Sequence, residues 1–193
     1  MAAKGYIYIT SSGYDPEVGK SLKDPYLGPV PTLGGCMPNI RRQVVPGDHI
    51  FVISGRVPRV QQLIMGGFEV AEKLATMMMA YERFQDLRLH RADDGEVQGN
   101  IIVNSRGRQH SLDTHDPSTF KNRIKDYVVG RDAVALTQPH EIARGRAETM
   151  SVLQEVLRKR GSTPIQVVGR WAKLDEQQAL SIRDWLFTVK AGR

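Results

Sequence analysis

The 193-residue chain lacks the features that mark several common classes of protein. It has one cysteine, Cys36, which excludes an internal disulfide and a zinc site built from several cysteines. No apolar run approaches the roughly 20 residues of a membrane span, and the N-terminal MAAKGYIYIT has no signal-peptide pattern. We therefore expect a cytoplasmic protein with no membrane partner.

Motifs that hold phosphate-bearing cofactors are also absent from the sequence. It contains no Walker loop, no dinucleotide-binding glycine pattern and no set of protein-kinase motifs. We therefore predict that the protein uses no cofactor. The lone Cys36 has no evident histidine partner, so the sequence favours a small buried thiol over a nucleophile.

Acidic residues are outnumbered by basic ones. The sequence has 27 lysines and arginines against 21 aspartates and glutamates, a formal charge of +6 and a pI of about 9.6. One interpretation is a mildly basic, solvated surface. The other is a nucleic-acid partner, because cations that displace counterions from phosphates gain affinity for any sequence. Many arginines lie in predicted turns or at the ends of elements, where they can form forked contacts to phosphate.

The first part of the chain has the pattern of strands and loops. GYIYITS, residues 5–11, predicts a strand, and we interpret the long Gly/Pro-rich stretch after it as a binding loop that carries two tyrosines. VPGDHIFVIS, residues 45–54, predicts a turn followed by a strand. Residues 61–74 predict a further strand, in which Gly66-Gly67 marks a bulge or a close approach of another backbone.

The second part of the chain changes from short strands to helices. Residues 76–84 predict a short helix. Three further strands are predicted at 87–91, 99–105 and 126–137. Residues 140–161 predict a long helix with one apolar stripe. Residues 175–190 predict another, with Asp175 as N-cap and Gln178 completing a capping box.

Strands that come first and helices that come last predict an α+β fold. We expect a strongly bent or barrelled mixed sheet with C-terminal helices. The predicted organisation is one domain over residues 1–193, with strands and loops mostly in 1–138 and helices in 139–193.

One block of the sequence resembles a known family. PTLGGCMPNIRRQVVPGDHIFVISG, residues 31–55, lies between YIYITSSGYDP and LIMGGFEVAEKL, and this order resembles the nucleotide-modification-associated domain family, particularly its second type. The shared features are a Thr-Leu-x-x-Cys-x-Pro-x-Ile-Arg-Arg block, a Gly-Asp turn and a returning strand with an acidic residue. The resemblance covers about residues 6–72. More distantly, the order is similar to PUA-like barrels of the EVE and ASCH kind.

The resemblance implies a function in nucleic-acid biology. Domains of these kinds bind nucleic acid, and several hold a modified or flipped base. It implies a PUA-like fold and an association with modified DNA bases, often in conflicts between bacteria and phages. We expect DNA rather than RNA as the partner.

A protein that handles an extruded base needs a slot for the base and cations for the flanking phosphates. The predicted base-binding residues are Tyr6, Tyr8, Ser11, Ser12, Tyr14 and Asn39. The predicted phosphate-binding residues are Arg41, Arg42, Arg106 and Arg108. The structural alternative is that Arg42 caps the edge of the sheet and that Tyr6 and Tyr8 are divided between core and surface.

The segment RGRQHSLDTHDP, residues 106–117, concentrates titratable side chains. His110, Asp113, His115 and Asp116 lie within seven residues. Their spacing lacks the i, i+4 pattern of known zinc motifs, so we predict no metal site. Carboxylates and histidine could instead hydrolyse a glycosidic bond, with Asp113, Asp116 and His115 as the catalytic residues. The alternative is a turn capped by its own side chains.

Glu69 is a fourth catalytic candidate because it follows the double glycine on a predicted strand. If Phe68 and Val70 face the core, Glu69 faces the opposite side of the sheet, where a pocket could lie. The alternative is a plain solvent-facing residue.

These patterns, taken with the resemblance, favour a hydrolase that binds DNA, flips out a modified base and excises it by cleaving the N-glycosidic bond. The resemblance implies that this activity serves defence against phage. One alternative is a non-catalytic reader of modified bases in DNA or RNA. Another is an ASCH-like hydrolase of small nucleosides or amides.

Overall fold

The computed structural model describes residues 4–192 and has an α+β architecture. Residues 1–3 and 193, which belong to the predicted single domain, lie outside the described residues. Within residues 4–192 there are eight strands: β1 (Gly5–Ile9), β2 (Thr32–Leu33), β3 (His49–Ile53), β4 (Ile64–Thr76), β5 (His90–Arg91), β6 (Val97–Gln98), β7 (Lys125–Ala135) and β8 (Trp171–Leu174). The same range has six α-helices: α1 (Pro38–Gln43), α2 (Met77–Arg83), α3 (Phe120–Arg123), α4 (Pro139–Leu157), α5 (Pro164–Val168) and α6 (Glu176–Lys190).

Six strands form one mixed sheet in the order β2-β7-β4-β3-β1-β8, and β5 and β6 form a second, two-stranded sheet. β1 and β3 run parallel, whereas the β1–β8, β3–β4 and β2–β7 pairs are antiparallel. Over the described residues the larger sheet is open, with β2 and β8 as its edges, and is not closed into a barrel. The prediction of a mixed sheet with C-terminal helices is confirmed. The prediction that the sheet could be a barrel is wrong, because the edge strands β2 and β8 do not pair with each other.

The chain divides into two compact units, each assembled from separate segments. Unit 1 comprises Met1–Leu22, Gly47–Glu69 and Asp132–Arg193. Unit 2 comprises Lys23–Pro46 and Val70–Arg131.

In unit 1, β1 and β3 are buried along their whole length. Such continuous apolar strands are typical of sheet positions covered on both faces. On one side α6 approaches β1 closely, since a Cβ built on Gly5 would lie 2.8 Å from the Cβ of Ala179. Glycine at position 5 therefore allows the helix to pack against the strand.

Two local predictions are confirmed in unit 1. Asp175 and Gln178 form the predicted capping box: the Asp175 carboxylate accepts from the Gln178 amide at 2.8 Å, and the Gln178 side chain accepts from the Asp175 amide at 2.9 Å. The double glycine marks a close approach of another backbone, since a Cβ on Gly67 would lie 2.5 Å from the carbonyl oxygen of Ile50.

Several short elements differ from the sequence-based prediction. The Pro-Asn-Ile-Arg-Arg run is the helix α1, which was not predicted, and α5 and β8 also had no predicted counterpart. Residues 99–105 form isolated bridges instead of a strand. None of the helices within residues 4–192 combines the length and apolar character needed to cross a bilayer.

The helices α4 and α6 are joined in unit 1 by a buried carboxylate. Glu141, which is 3% exposed, accepts from the backbone amides of Thr137 and Gln138 at 2.8 and 3.0 Å and pairs with Lys190 at 2.8 Å. Burial by itself would raise the pKa of Glu141, but these three donors lower it to about 2. The ionised carboxylate therefore caps α4 and holds the end of α6.

The pKa of Glu141 predicts a loss of stability in acid. Because the folded value lies below the unfolded value of about 4.5, the carboxylate stabilises the fold above pH 4.5, and this contribution is lost as the pH falls towards about 2. We expect Glu141→Gln to lower the free energy of unfolding at pH 7 by about 1–3 kcal/mol, the usual cost of losing charged hydrogen bonds. Urea titrations at a series of pH values measure this difference.

The difference in the free energy of unfolding between Glu141→Gln and the unsubstituted protein should decrease as the pH falls from 4.5 towards about 2. Glu155→Gln, at an exposed position of the same helix, is the matched control and should change stability by less than about 0.5 kcal/mol. If Glu141→Gln lowers the free energy of unfolding by the same amount at every pH, Glu141 does not stabilise the fold through its ionised carboxylate.

Candidate active site

In unit 2 the Thr-Leu-Gly-Gly-Cys segment is held by a carboxylate. Asp24 accepts from the backbone amides of Gly34 at 2.7 Å and Cys36 at 2.5 Å, so both of its oxygens bind the same loop. Asn100 donates to Asp24 at 3.1 Å. Gly34 fits closely in this position, since a Cβ there would lie 2.4 Å from the carbonyl oxygen of Asn100. The loop is therefore fixed before any ligand binds.

The same polar network continues into the core of unit 2. Asn100 donates to the hydroxyl of Thr32 at 2.9 Å and accepts from the hydroxyl of Tyr127 at 2.8 Å. Burial raises the pKa of Tyr127, so its phenol stays neutral and acts as a donor. Burial, and then the nearby Asp24, also raise the pKa of the Cys36 thiol. A neutral thiol is a poor nucleophile, which agrees with a structural role for Cys36.

Arg41 is fully buried in unit 2, although it was predicted to contact phosphate. Its guanidinium donates to four backbone carbonyls, those of Cys36 (2.8 Å), Arg123 (2.9 Å), Asp126 (3.2 Å) and Lys125. Burial lowers the pKa of Arg41 to about 10, while the nearby Asp24 acts in the opposite direction, and the side chain stays charged at neutral pH. Because its donors are used inside the protein, Arg41 has a structural role.

The neighbouring helix residues are on the surface. Arg42 and Asn39 are both exposed, and the Arg42 guanidinium donates to the Asn39 side chain across one turn of α1. Arg42 is therefore placed where a phosphate could reach it. Asn39 presents a polar side chain at the same surface, and the Oδ1 atom of that side chain accepts from Arg42.

Asp113 and His115 form an oriented pair. The Nδ1 atom of His115 lies 2.6 Å from the Asp113 carboxylate, whose side chain is 2% exposed, whereas that of His115 is 27% exposed. Gln109 donates to the other carboxylate oxygen at 2.8 Å and to the His115 carbonyl at 2.9 Å. The sequence predicted both residues as candidates, and the structure brings them into direct contact.

The protonation of the pair follows from its partners. Burial by itself would raise the pKa of Asp113, but hydrogen bonds from His115 and Gln109 lower it, so the carboxylate is ionised at neutral pH. An ionised acceptor requires His115 to carry a proton on Nδ1, and in the neutral tautomer with that proton Nε2 is the unprotonated nitrogen. This tautomer is the one that a general base needs.

The histidine lies against the glycine loop. A Cβ built on Gly35 would lie 3.4 Å from Cε1 of His115, so the ring packs on the backbone at that point. Arg123 donates to the Gly35 carbonyl at 3.0 Å and to the Thr119 hydroxyl at 2.9 Å. Gly35 and His115, which are 80 residues apart in sequence, are therefore in contact in unit 2.

The other members of the His/Asp segment stabilise turns. Asp116 is exposed and accepts from the Ser118 amide at 2.8 Å. Hydrogen bonds from the Ser118 side chain, and then from its amide, lower the pKa of Asp116. His110 accepts from the Leu112 amide through Nδ1 at 3.1 Å. Both contacts fit the alternative of a turn capped by its own side chains. Asp116, predicted as catalytic, is in the structure the cap of the short helical turn Pro117–Thr119.

The two other predicted phosphate-binding residues project from one turn. Arg106 and Arg108 are exposed, and the side chain of Asn104 accepts from both of their backbone amides at 2.9 and 3.1 Å. Gly107 between them has φ +70°, a conformation that glycine adopts readily. The backbone of the turn is thus held by the Asn104 side chain, and its surface is basic.

The predicted base-binding residues differ in their burial. Tyr6 and Tyr8 are each 1% exposed and belong to the core of unit 1, so neither presents a ring to a base. Burial, and then the charge of Asp48, raise the pKa of Tyr6. Ser11 and Ser12 are exposed and Tyr14 is half-buried, all in unit 1, whereas Asn39 belongs to unit 2.

Glu69 is in unit 1, whereas Asp113, His115 and Asp116 are in unit 2. It is half-buried and lies directly across from His49 in the β3–β4 pair. A cleft of unit 1 is lined by both residues, so the predicted pocket beside Glu69 is present.

Three residues of the unit 2 site were not identified from the sequence: Asp24, Asn100 and Arg123. Asp24 lies in a polar loop among many similar residues, and Asn100 was placed in a predicted strand. Their roles depend on contacts across 10 to 88 positions of the chain, which local patterns do not report. Within the described residues, no group of three or more metal-ligating side chains could hold a metal ion.

Replacement of Arg41 tests its structural role. We expect Arg41→Met to lower the free energy of unfolding by about 3 kcal/mol or more, because each buried carbonyl left unpaired costs about 1–3 kcal/mol. Arg41→Lys should lower the free energy of unfolding by less than Arg41→Met does, because the ammonium can still bind some of the carbonyls. Urea denaturation followed by circular dichroism measures both.

Arg42→Met is the matched control, because Arg42 is the next residue of the same helix and is exposed. Its unfolding free energy should stay within about 0.5 kcal/mol of the unsubstituted protein. If Arg41→Met and Arg42→Met lower the free energy of unfolding by similar amounts, Arg41 does not have the structural role assigned to it.

Comparison with known proteins adds no relative to this description. No protein-family model, curated protein or solved structure matches the chain.

Proposed function

We propose that this protein binds DNA, takes up an extruded modified base and hydrolyses its N-glycosidic bond at the Asp113–His115 pair of unit 2. The observation that carries the proposal is the 2.6 Å contact between His115 Nδ1 and the buried Asp113 carboxylate. A histidine held by a carboxylate and partly open to solvent is a common arrangement for proton transfer in hydrolysis. The PUA-like fold and membership of the nucleotide-modification-associated family are parts of the same proposal.

The chemistry needs only water and these side chains. A water molecule attacks C1′ of the sugar, and the bond from C1′ to the base nitrogen breaks with its electron pair going to the base. His115 Nε2 takes a proton from the water and passes a proton to the departing base, so the histidine ends neutral. Asp113 stabilises the imidazolium that forms in between.

Positive charge near the pair supports a phosphate-bearing substrate. Arg123 is bonded to the loop that His115 contacts, and the exposed Arg106 and Arg108 belong to the same stretch of unit 2. The overall charge of +6 acts in the same direction. Because Arg41 is buried, the predicted phosphate-binding residues that remain at the surface are Arg42, Arg106 and Arg108.

Removal of the Asp113 carboxylate tests the catalytic assignment. The protein is incubated with DNA that carries hydroxymethylated or glucosylated cytosine and then treated with alkali, which breaks the strand where a base is missing. We expect Asp113→Asn and His115→Gln each to reduce the strand breaks by about 10²–10⁴-fold, the usual contribution of general acid–base groups. Gel electrophoresis quantifies the breaks.

Asp93→Asn, at an exposed turn of unit 2, is the matched control and should leave the breaks unchanged. Unchanged breaks in Asp113→Asn would refute the role of the pair. Salt-dependent binding without breaks would favour a non-catalytic reader, and hydrolysis of free nucleosides without binding to long DNA would favour a small-molecule hydrolase.

Charge reversal at the basic turn tests the nucleic-acid contact separately. We expect the double variant Arg106→Glu/Arg108→Glu to weaken DNA binding for all sequences and to reduce the slope of log affinity against log salt by about 2, one for each phosphate contact. Fluorescence anisotropy at several salt concentrations gives the slope. Lys159→Glu/Arg160→Glu carries the same charge change on exposed residues after α4, so equal slopes for the two double variants would contradict a specific role for the turn.

A further inference from the structure

The Asp113–His115 pair of unit 2 is held by a third side chain, that of Gln109. Its Nε2 atom donates to the Asp113 carboxylate at 2.8 Å and to the carbonyl oxygen of His115 at 2.9 Å. A side-chain amide nitrogen carries two N–H groups, so it can make both bonds at the same time. One side chain therefore binds both members of the pair, Asp113 through its carboxylate and His115 through its backbone.

The two partners determine which way the Gln109 amide faces. An ionised carboxylate and a peptide carbonyl both accept hydrogen bonds and have no proton to donate. If the amide were turned over, its oxygen would lie against two acceptors and neither contact would be a hydrogen bond. The NH2 group of Gln109 therefore faces the pair.

The backbone at Gln109 is anchored to the core of unit 2. Gln109 forms an antiparallel bridge with Val103, and the amide of His110 donates to the carbonyl of Ile102 at 2.9 Å. Val103 and Ile102 belong to the buried hydrophobic cluster of this unit. A side chain that starts from such an anchored position can hold its partners in a defined geometry.

The two oxygens of Asp113 have different partners. The Oδ2 atom accepts from Gln109, whereas Oδ1 accepts from the backbone amide of His115 at 3.2 Å and lies 2.6 Å from its Nδ1 atom. The carboxylate cannot rotate without breaking the bond to Gln109. Because the Asp113 side chain is only 2% exposed, water has little access to replace that bond. The Oδ1 atom therefore stays directed at Nδ1.

From this geometry we infer that Gln109 is a positioning residue that fixes the tautomer of His115. It holds the carboxylate and the His115 carbonyl together, which keeps the ring proton on Nδ1 and leaves Nε2 to act as the base. Burial raises the pKa of Asp113, but the bonds from His115 and then Gln109 lower it, so the acceptor stays ionised. The catalytic part of this inference rests on the proposed function, whereas the tautomer does not depend on any substrate.

The tautomer of His115 is measured by NMR of the full chain with ¹⁵N-labelled histidines. Comparison with His115→Gln identifies its signals among those of the five histidines. At mildly alkaline pH, where imidazole rings are neutral, we expect a single form of His115 with its proton on Nδ1. In Gln109→Met, which has a side chain of similar length and no N–H group, the form protonated on Nε2 should appear as well.

Gln85→Met is the matched control, because Gln85 is an exposed glutamine of the same unit. This variant should leave the tautomer of His115 unchanged. A residue with a purely structural role would change the free energy of unfolding and not the tautomer. If folded Gln109→Met keeps the single Nδ1-protonated form, the inference is wrong, whatever its stability.

The strand-break assay measures the effect on catalysis. In single-turnover reactions, Gln109→Met should reduce the breaks by about 10–100-fold, as removal of the hydrogen-bond partners of metal-binding histidines does. Its affinity for DNA should stay the same, because Gln109 binds the pair and not the substrate. Gln109→Glu keeps the shape of the side chain but, when ionised, has no N–H group to donate. It should reduce the breaks at least as much, and unchanged breaks in this variant would overturn the inference.

The two measurements distinguish failure of this inference from failure of the proposed function. If the unsubstituted protein makes no strand breaks while the tautomer still depends on Gln109, the proposed function is wrong and the positioning of His115 is supported. If the breaks depend on His115 and not on Gln109, the inference is wrong and the proposed function stands.

The unsubstituted protein provides a test even if the Gln109 variants do not fold. The side-chain N–H groups of Gln109 should exchange with solvent more slowly than those of Gln85, because both are hydrogen-bonded inside the protein. Equal exchange rates, or a His115 ring protonated on Nε2 alone, would overturn the inference.

Discussion

The buried guanidinium of Arg41 is the constraint on which unit 2 depends. It binds the carbonyl of Cys36 on one side and those of residues 123, 125 and 126 on the other, so one charged group joins two segments more than 80 residues apart. A buried guanidinium cannot donate hydrogen bonds to water, so its N–H groups must find acceptors inside the protein. Because the group is planar and has five N–H donors, it can bind several carbonyls at once. The position of the Gly35–Cys36 loop, and with it the surface against which His115 packs, follows from this bonding.

Carboxylates of the same chemical type take different roles here because their surroundings differ. Asp24 accepts hydrogen bonds from two backbone amides and fixes a loop. Asp113 is hydrogen-bonded to His115 and to the side-chain amide of Gln109. Asp116 caps an exposed turn. Of the three, only Asp113 is both buried and in contact with a partly exposed proton carrier. Of the two carboxylates that the sequence predicted as catalytic in this segment, only Asp113 has the contacts that the proposed hydrolysis needs.

The charge of the protein is unevenly distributed between the sites of the two units. The candidate active site in unit 2 is accompanied by exposed arginines, whereas the cleft of unit 1 is lined mainly by carboxylates and aromatic rings. The net charge of +6 therefore does not describe the local composition of each unit.

The sequence by itself determined the elements whose signals are local. The strand β1, the turn before β3, the close approach at Gly67 and the capping box of α6 follow from periodicity, turn residues and short-range hydrogen bonds. Only the tertiary structure decided that Arg41 is buried while Arg42 is exposed, that Tyr6 and Tyr8 are both in the core, and that His115 meets the glycine loop. The reason is that burial depends on which distant segments cover a side chain, and no local pattern of residues contains that information.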